Sequence, residues 1–409
     1  MVILGIETSC DETAAAVIEG VGDKIKVLSN VVSSQIAIHQ KYGGVVPEVA
    51  AREHVLNILP VVNEALAKAD LPSPPTPLLP QTAPQAAGQE RGANTMGVKT
   101  APFSRAFKSG RKVGMEGIDA IAVTIGPGLI TSLMVGVETA KTLAYAWQVP
   151  VIGINHIEGH IYANFIGANP KFQITNSKQI TNSKSQIPNK SQIPKIKFPA
   201  LILTVSGGHT MLVLMTGHGK YKVLGETRDD AAGEAFDKAA QLLGSGYPGG
   251  PAIAANAAKL KVKSEKLKVF LPRPMINSRD YNFSFSGLKT ALLYKLQKDK
   301  SWKKKIPEYA AEFQQAVVEV LVAKTIRAAG EYQVKTVILA GGVAANQLLR
   351  QQLALTVKEK LVKVNFTMPK LKYCTDNAAM VAGAGYFRAR SKKFTDWSKL
   401  RVDGNLELK

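Results

Sequence analysis

Short apolar runs, closed by small polar clusters and followed by longer stretches with apolar residues every three or four positions, recur along the chain. The short runs predict strands near Ile3, Ile121, Val151, Leu201, Val337 and Val364, and the longer stretches predict helices, among them 49–69 and 308–329. Such alternation argues for an α/β fold. In the first of these helices Val55, Leu59, Val62 and Leu66 form one stripe, and in the second Tyr309, Phe313, Val317 and Val320 form another. Both stripes are read as core. The longest uncharged stretch, 120–137, reaches the roughly 18 residues of a membrane span. Gly126-Pro127-Gly128 interrupts it, so it predicts a buried strand over 120–125, a tight turn, and a helix over 131–147.

Two segments share one pattern of strand, small polar turn and strand. Ile3 to Ile6 lead through Glu7-Thr8-Ser9-Cys10-Asp11-Glu12-Thr13 into 14–18, and Leu201 to Val205 lead through Ser206-Gly207-Gly208-His209-Thr210 into 211–215. Hairpin tips of hydroxyl and glycine residues present backbone amides to a phosphate, and a facing pair would clamp a nucleotide. Either tip alone is equally an ordinary turn. A third glycine turn, Gly341-Gly342-Val343-Ala344-Ala345-Asn346, follows a strand and leads into a helix, where glycines let a flat ring approach the backbone.

Two segments interrupt the alternation. The Pro-rich stretch 71–115 has no apolar period, and 171–197 repeats Gln-Ile-Thr-Asn-Ser-Lys with six lysines and no acids. Both read as excursions from the folded body. The chain carries +21, and without those six lysines it would still carry +15, with clusters at 259–268, 295–305 and 388–393. Such a surplus suits a polyanionic partner, though lysine clusters are also common as solvated faces. Cys10 and Cys374 cannot make a disulfide framework, and Glu7 breaks the first apolar run before it could serve as a secretory signal. A reducing cytoplasm is the expected compartment, with no membrane association.

Metal chemistry is suggested by His156 and His160, in Asn155-His156-Ile157-Glu158-Gly159-His160, where an apolar strand gives way to a helix. Imidazoles four apart share one helix face, half of a metal site. Asp376, in Thr375-Asp376-Asn377 between a strand-like run and a small-residue helix, offers a hard oxygen donor. Two histidines and one carboxylate leave zinc or ferrous iron with open positions. The alternatives stay open: the rings line a packed helix end, and Thr375 or Asp376 is an N-cap. A zinc-protease reading fails on spacing, because Ile157 stands where that motif needs Glu and Glu158 projects about 100° further round.

Together the three turns resemble the two phosphate loops and the adenosine loop of the superfamily of actin, chaperone ATPases and sugar kinases. That resemblance implies two related lobes around a nucleotide cleft, one formed by 1–154 plus 376–409 and the other by 155–375. The fuller set of motifs adds Tyr42 to Glu48, Gly126 to Gly128, Asp229 to Lys238, Tyr247 to Pro251 and Phe283 to Thr290. With these the chain closely resembles the bacterial form of the tRNA threonylcarbamoyladenosine transferase family, over nearly all its length outside the two inserts. Residues after Phe394 match the family tail poorly.

The resemblance implies transfer of a threonylcarbamoyl group from threonylcarbamoyl-AMP to the adenosine 3′ of the anticodon, in tRNAs reading codons that begin with A, with AMP released. It implies one divalent ion, iron or zinc, on His156, His160 and Asp376, and donor binding by Thr204, Val205, Ser206, Gly207, Gly208, Asp237, Gly250 and Asn346. Adenine's amine is a poor nucleophile, so a nearby base would help; Asp11 is the first choice, with Glu12 and His209 as other candidates at the tips. Implied partners are tRNA, an inactive sister protein of the same fold and a small P-loop ATPase, with no DNA. A kinase-like ATPase or a silent scaffold on the same fold remains the alternative.

Overall fold

The computed structural model describes residues 1–72, 117–166, 196–260 and 269–409. Apart from their end residues the two inserts, and most of the 259–268 lysine cluster, lie outside these. The first half of the chain builds β1 (Val2–Glu7), β2 (Glu12–Val21), β3 (Lys24–Ser34), the short α1 (Ile36–His39), α2 (Pro47–Lys68), β4 (Ala120–Gly126), α3 (Ile130–Trp147), β5 (Val151–Asn155) and α4 (His156–Tyr162). The second half builds β6 (Ala200–Val205), β7 (Thr210–Gly217), β8 (Lys220–Glu226), α5 (Ala232–Leu242), α6 (Gly249–Ala258), α7 (Ser286–Lys298), α8 (Ile306–Glu331), β9 (Thr336–Ala340), α9 (Gln347–Lys360), β10 (Asn365–Thr367) and α10 (Ala378–Arg390).

One plan is used twice. The first sheet runs β3-β2-β1-β4-β5 and the second β10-β9-β6-β7-β8, which is the same order read from the opposite edge. In each, the first strand pairs antiparallel with the second and parallel with the fourth. The fold is therefore α/β with two topologically matching lobes, as expected of the actin and sugar-kinase plan. The predicted strands are present, and the expected hairpins are β1–β2 and β6–β7. The edge strands β3 and β8 were not foreseen; polar residues are mixed through both, and most of their residues are exposed or half-buried, as suits strands at a sheet edge.

Helix α10 packs across β1 and β4 at a separation only small residues allow. A Cβ on Gly5 would stand 2.3 Å from the Ala378 carbonyl, and one on Gly385 would stand 2.4 Å from the Ala122 Cβ. This close seat fixes the loop just ahead of α10, which carries Asp376. Tyr309, Phe313, Val317 and Val320 are all buried in α8, as read from the sequence.

In α2 only half the expected stripe is core. Val62 and Leu66 are fully buried, but Val55 is 64% and Leu59 55% exposed. The buried face runs instead through His54, Ile58, Val61, Val62, Ala65 and Leu66. His54 turns inward because its ring is bonded on both sides, by Thr13 Oγ1 at 2.8 Å and the Cys10 carbonyl at 3.0 Å. Among the described residues no helix is long and apolar enough to cross a membrane.

Candidate functional site

Strand β5 is apolar until Asn155, whose side chain accepts from the amides of Ile157 at 2.8 Å and Glu158 at 3.3 Å and so starts α4. The histidine rings are left free of capping. At the other approach Asn377, not Thr375 or Asp376, caps α10 by accepting from the Met380 amide at 3.1 Å. The Asp376 carboxylate is thereby released toward α4.

His160 Nε2 lies 3.1 Å and His156 Nε2 3.5 Å from Asp376 Oδ1. One donor atom from each residue falls within 4.8 Å of the others. Donors sharing a tetrahedral ion at the usual bond lengths stand about 3.3 Å apart. Both ring nitrogens of His160 are buried, and among the described residues neither makes a hydrogen bond of good geometry. Three electron-rich groups crowded without hydrogen-bond geometry fit a shared cation. Burial opposes the charged form of His156, but Asp376 and Glu7 outweigh it and push the ring up to about 9. Burial likewise opposes ionisation of Asp376, yet the two rings hold it well below the ordinary carboxylate range.

Behind His156 stands Glu7, fully buried at the end of β1. It accepts from the Ser9 amide at 2.6 Å and Thr124 Oγ1 at 2.7 Å, and its Oε2 lies 3.1 Å from His156 Nδ1. Ser9 Oγ is 3.1 Å from the same nitrogen. The sequence reading gave Glu7 no place in the site. Its signal was an acid closing a strand whose other five residues are apolar or glycine.

The hairpin tips share electrostatic surroundings with this set. Burial, then Asp376 and Asp11, push Glu12 up to about 10; a cation on Asp376 would offset part of that. Burial, then His156 and His160, drive His209 down to about 4, so its ring is neutral at ordinary pH. Tyr247 is raised by burial first and then by Asp11 and Asp237.

The second tip is tight: the Ser206 amide bonds the His209 carbonyl at 2.8 Å, and Ser206 Oγ accepts from the His209 amide at 3.1 Å. Around Gly207 and Gly208 the space where a Cβ would sit is open for 4 Å, so a ligand can reach their backbone. Thr204 and Val205 lie lower, in β6, and both side chains are fully buried. The third turn presses on β6, since a Cβ on Gly341, at φ +90°, would meet the Val205 carbonyl at 2.3 Å. Asn346 caps α9 by accepting from the Leu349 amide and donates to Gln314 at 2.8 Å. Asp237 accepts from the Gly249 amide at 2.7 Å, next to Gly250 at the start of α6. Among the described residues no hydrogen bond or ion pair joins Asp237, Gly250 or Asn346 to the metal-type set. Glu158 is also committed: Arg388 pairs with it at 2.5 Å and Tyr221 donates at 3.1 Å, so it is no protease-type base.

A family model described as tRNA N6-adenosine threonylcarbamoyltransferase matches residues 26–74, 100–175 and 183–383. A protein of that name from Dehalococcoides mccartyi is 46% identical, covering 96% of this chain and 95% of its own. One from Syntrophomonas wolfei is 44% identical over 97% of this chain and 95% of its own. Another, from Thermosipho africanus, is 41% identical with both chains fully covered.

Proposed function

The chain belongs to the tRNA N6-adenosine threonylcarbamoyltransferase family, and from that premise we propose how its residues divide the work. The donor is threonylcarbamoyl-AMP, the acceptor the N6 amine of the adenosine 3′ of the anticodon in tRNAs reading codons that begin with A. The amine attacks the carbamoyl carbon, a C–N bond forms, the bond to the phosphate oxygen breaks, and AMP leaves. Negative charge builds on the carbamoyl oxygen and the departing phosphate, and one amine proton must be taken up.

Two imidazoles and a carboxylate form the donor set for iron or zinc, and a bound ion would supply Lewis-acid stabilisation of that charge. Open backbone at Gly207 and Gly208, beside Ser206, receives the phosphate. Neutral His209 can hydrogen-bond to it. Thr204 and Val205 contribute through backbone position only, being buried in β6. Asp237 and Asn346 suit ribose and base hydrogen bonds through their unused acceptor and donor positions, with Gly250 leaving room beside them. Asp11 is assigned to take the amine proton, with Glu12, raised by burial and then by Asp376 and Asp11, beside it at that tip. The lobes divide as 1–154 plus 376–409 against 155–375, with the cleft between.

An exposed basic surface supports tRNA docking. Lys295, Lys298, Lys300, Lys303 and Lys304 are exposed, beside Tyr294 at 58% exposure. The acid among them, Asp299, is turned inward onto Ser301, Lys305 and Tyr309. For a sister protein of the same fold, the support is an apolar face on neighbouring helices: Val55, Leu56 and Leu59 of α2 and Ile130 and Met134 of α3. A small P-loop ATPase and a cytoplasmic location complete the reading by family analogy.

The convergence of His156, His160 and Asp376 carries this proposal. Its test supplies threonylcarbamoyl-AMP, unmodified tRNA and co-purifying partners, then seeks the modified nucleoside by mass spectrometry of digested RNA. The product is expected with the natural chain and absent with His160→Ala; persistence in that variant removes the ion from the mechanism.

A further inference from the structure

We propose that Glu7 is a positioning residue that orients His156 so that its Nε2 faces the ion; this rests on the metal reading above. Glu7 ends β1, the strand at the centre of its sheet, and is wholly buried. A carboxylate taken from water must be met by donors or it destabilises the fold by several kcal/mol, on the order expected for buried ions. Two donors and one ring nitrogen converge on this one: the Ser9 amide on Oε1, and Thr124 Oγ1 and His156 Nδ1 on Oε2.

That arrangement fixes the ring. A carboxylate oxygen only accepts, so Nδ1 donates to Oε2, with Ser9 Oγ at 3.1 Å as its other neighbour; the ring hydrogen is kept on Nδ1, and Nε2 is the nitrogen whose lone pair a metal would take. The two ring nitrogens point apart, and Nε2 is the one that lies near Asp376. Glu7 therefore supports the ligand from behind and is not itself a fourth ligand. Among the described residues Nδ1 of His160 has no partner of that kind, so within this set the support from behind falls on His156. Histidines bound to metals commonly use a carboxylate in this way, and removing the carboxylate lowers metal affinity.

The test titrates the full-length chain with Zn2+ against a competing chelator. Glu7→Gln, which keeps shape and volume, is expected to bind Zn2+ about 10–100-fold more weakly. Thr124→Val, which removes one anchor of the carboxylate, is expected to fall between. A thermal melt reports whether each variant is folded. Unchanged Zn2+ affinity in folded Glu7→Gln overturns the proposal; should that variant not fold, unchanged affinity in Thr124→Val overturns it instead. The imidazole 1H–15N spectrum of the zinc-loaded natural chain is expected to show the His156 hydrogen on Nδ1, and finding it on Nε2 also overturns the proposal. A natural chain that binds Zn2+ no better than His160→Ala removes the metal reading itself, and Glu7's role with it.

Discussion

Arg388, near the end of α10, reaches the fully buried Glu158 of α4 at 2.5 Å, while Tyr221 of β8 donates to the other oxygen at 3.1 Å. One carboxylate is thus held by a helix packed on the first sheet and a strand of the second. Arg388→Ala leaves that charge without its cation and is expected to cost about 3 kcal/mol, the lower end for breaking a buried pair, since Arg388 is partly exposed. Glu158→Gln, which leaves an exposed-side arginine and keeps the hydrogen bond, is expected to cost less. Urea unfolding of both variants checks the ordering, and equal losses would count against it.

Asp229 ties the start of α7 to the segment before α5. Partial burial opposes its ionisation, but Ser284, Ser286 and the amides of Phe285 and Ser286 donate to it and lower its pKa. A carboxyl depressed in the folded chain stabilises it above the unfolded value of about 3.9 and loses that contribution as pH falls through the folded value. The natural chain is expected to melt higher than Asp229→Asn at pH 7 and 5, with the gap narrowing as pH falls below about 3.9. Melting curves that stay parallel across that range would refute it.

Charge reversal at Lys298, Lys303 and Lys304 tests the basic surface. For contacts with duplex phosphates, each one lost lowers the slope of log K against log salt by about 0.9, so the triple Lys→Glu variant is expected to lose about 2–3 from that slope along with affinity for tRNA. Zn2+ binding should not change. Fluorescence anisotropy with tRNA at several salt concentrations reads it, and an unaltered slope assigns the RNA to another face.

Leu56→Glu with Leu59→Glu places two acids on the exposed side of α2, where neither side chain supports the core. The melting temperature is expected to stay within a few degrees of the natural value, as for surface changes of under about 0.5 kcal/mol. Association with a same-fold partner is expected to be lost by sedimentation analysis. Retained association would move the partner elsewhere.

That same helix marks where the sequence misled. Val55 and Leu59 lie on an impeccable helical period, but periodicity reports only that an apolar face exists, not what covers it. The true inner face includes His54, polar by composition and buried only because Thr13 and Cys10 meet its ring from far along the chain. Elsewhere local signals sufficed: short apolar runs joined by small polar tips specify the hairpins, and the i, i+4 histidines lie on one helix whatever surrounds it. The capping assignment was not legible, because Asp376 and Asn377 are both good caps and only packing of α10 decides between them. Glu7 was passed over for a similar reason, its partners being Thr124 and His156, each more than a hundred residues away.

The matching sheets diverge at one telling position. The last paired residue of the first central strand is Glu7, and that of its counterpart is Val205. A shared scaffold thus ends once in a buried anion and once in a buried hydrocarbon, so the halves cannot trade places: Glu7 set where Val205 stands would lack the amide, hydroxyl and imidazole that meet it in its own half.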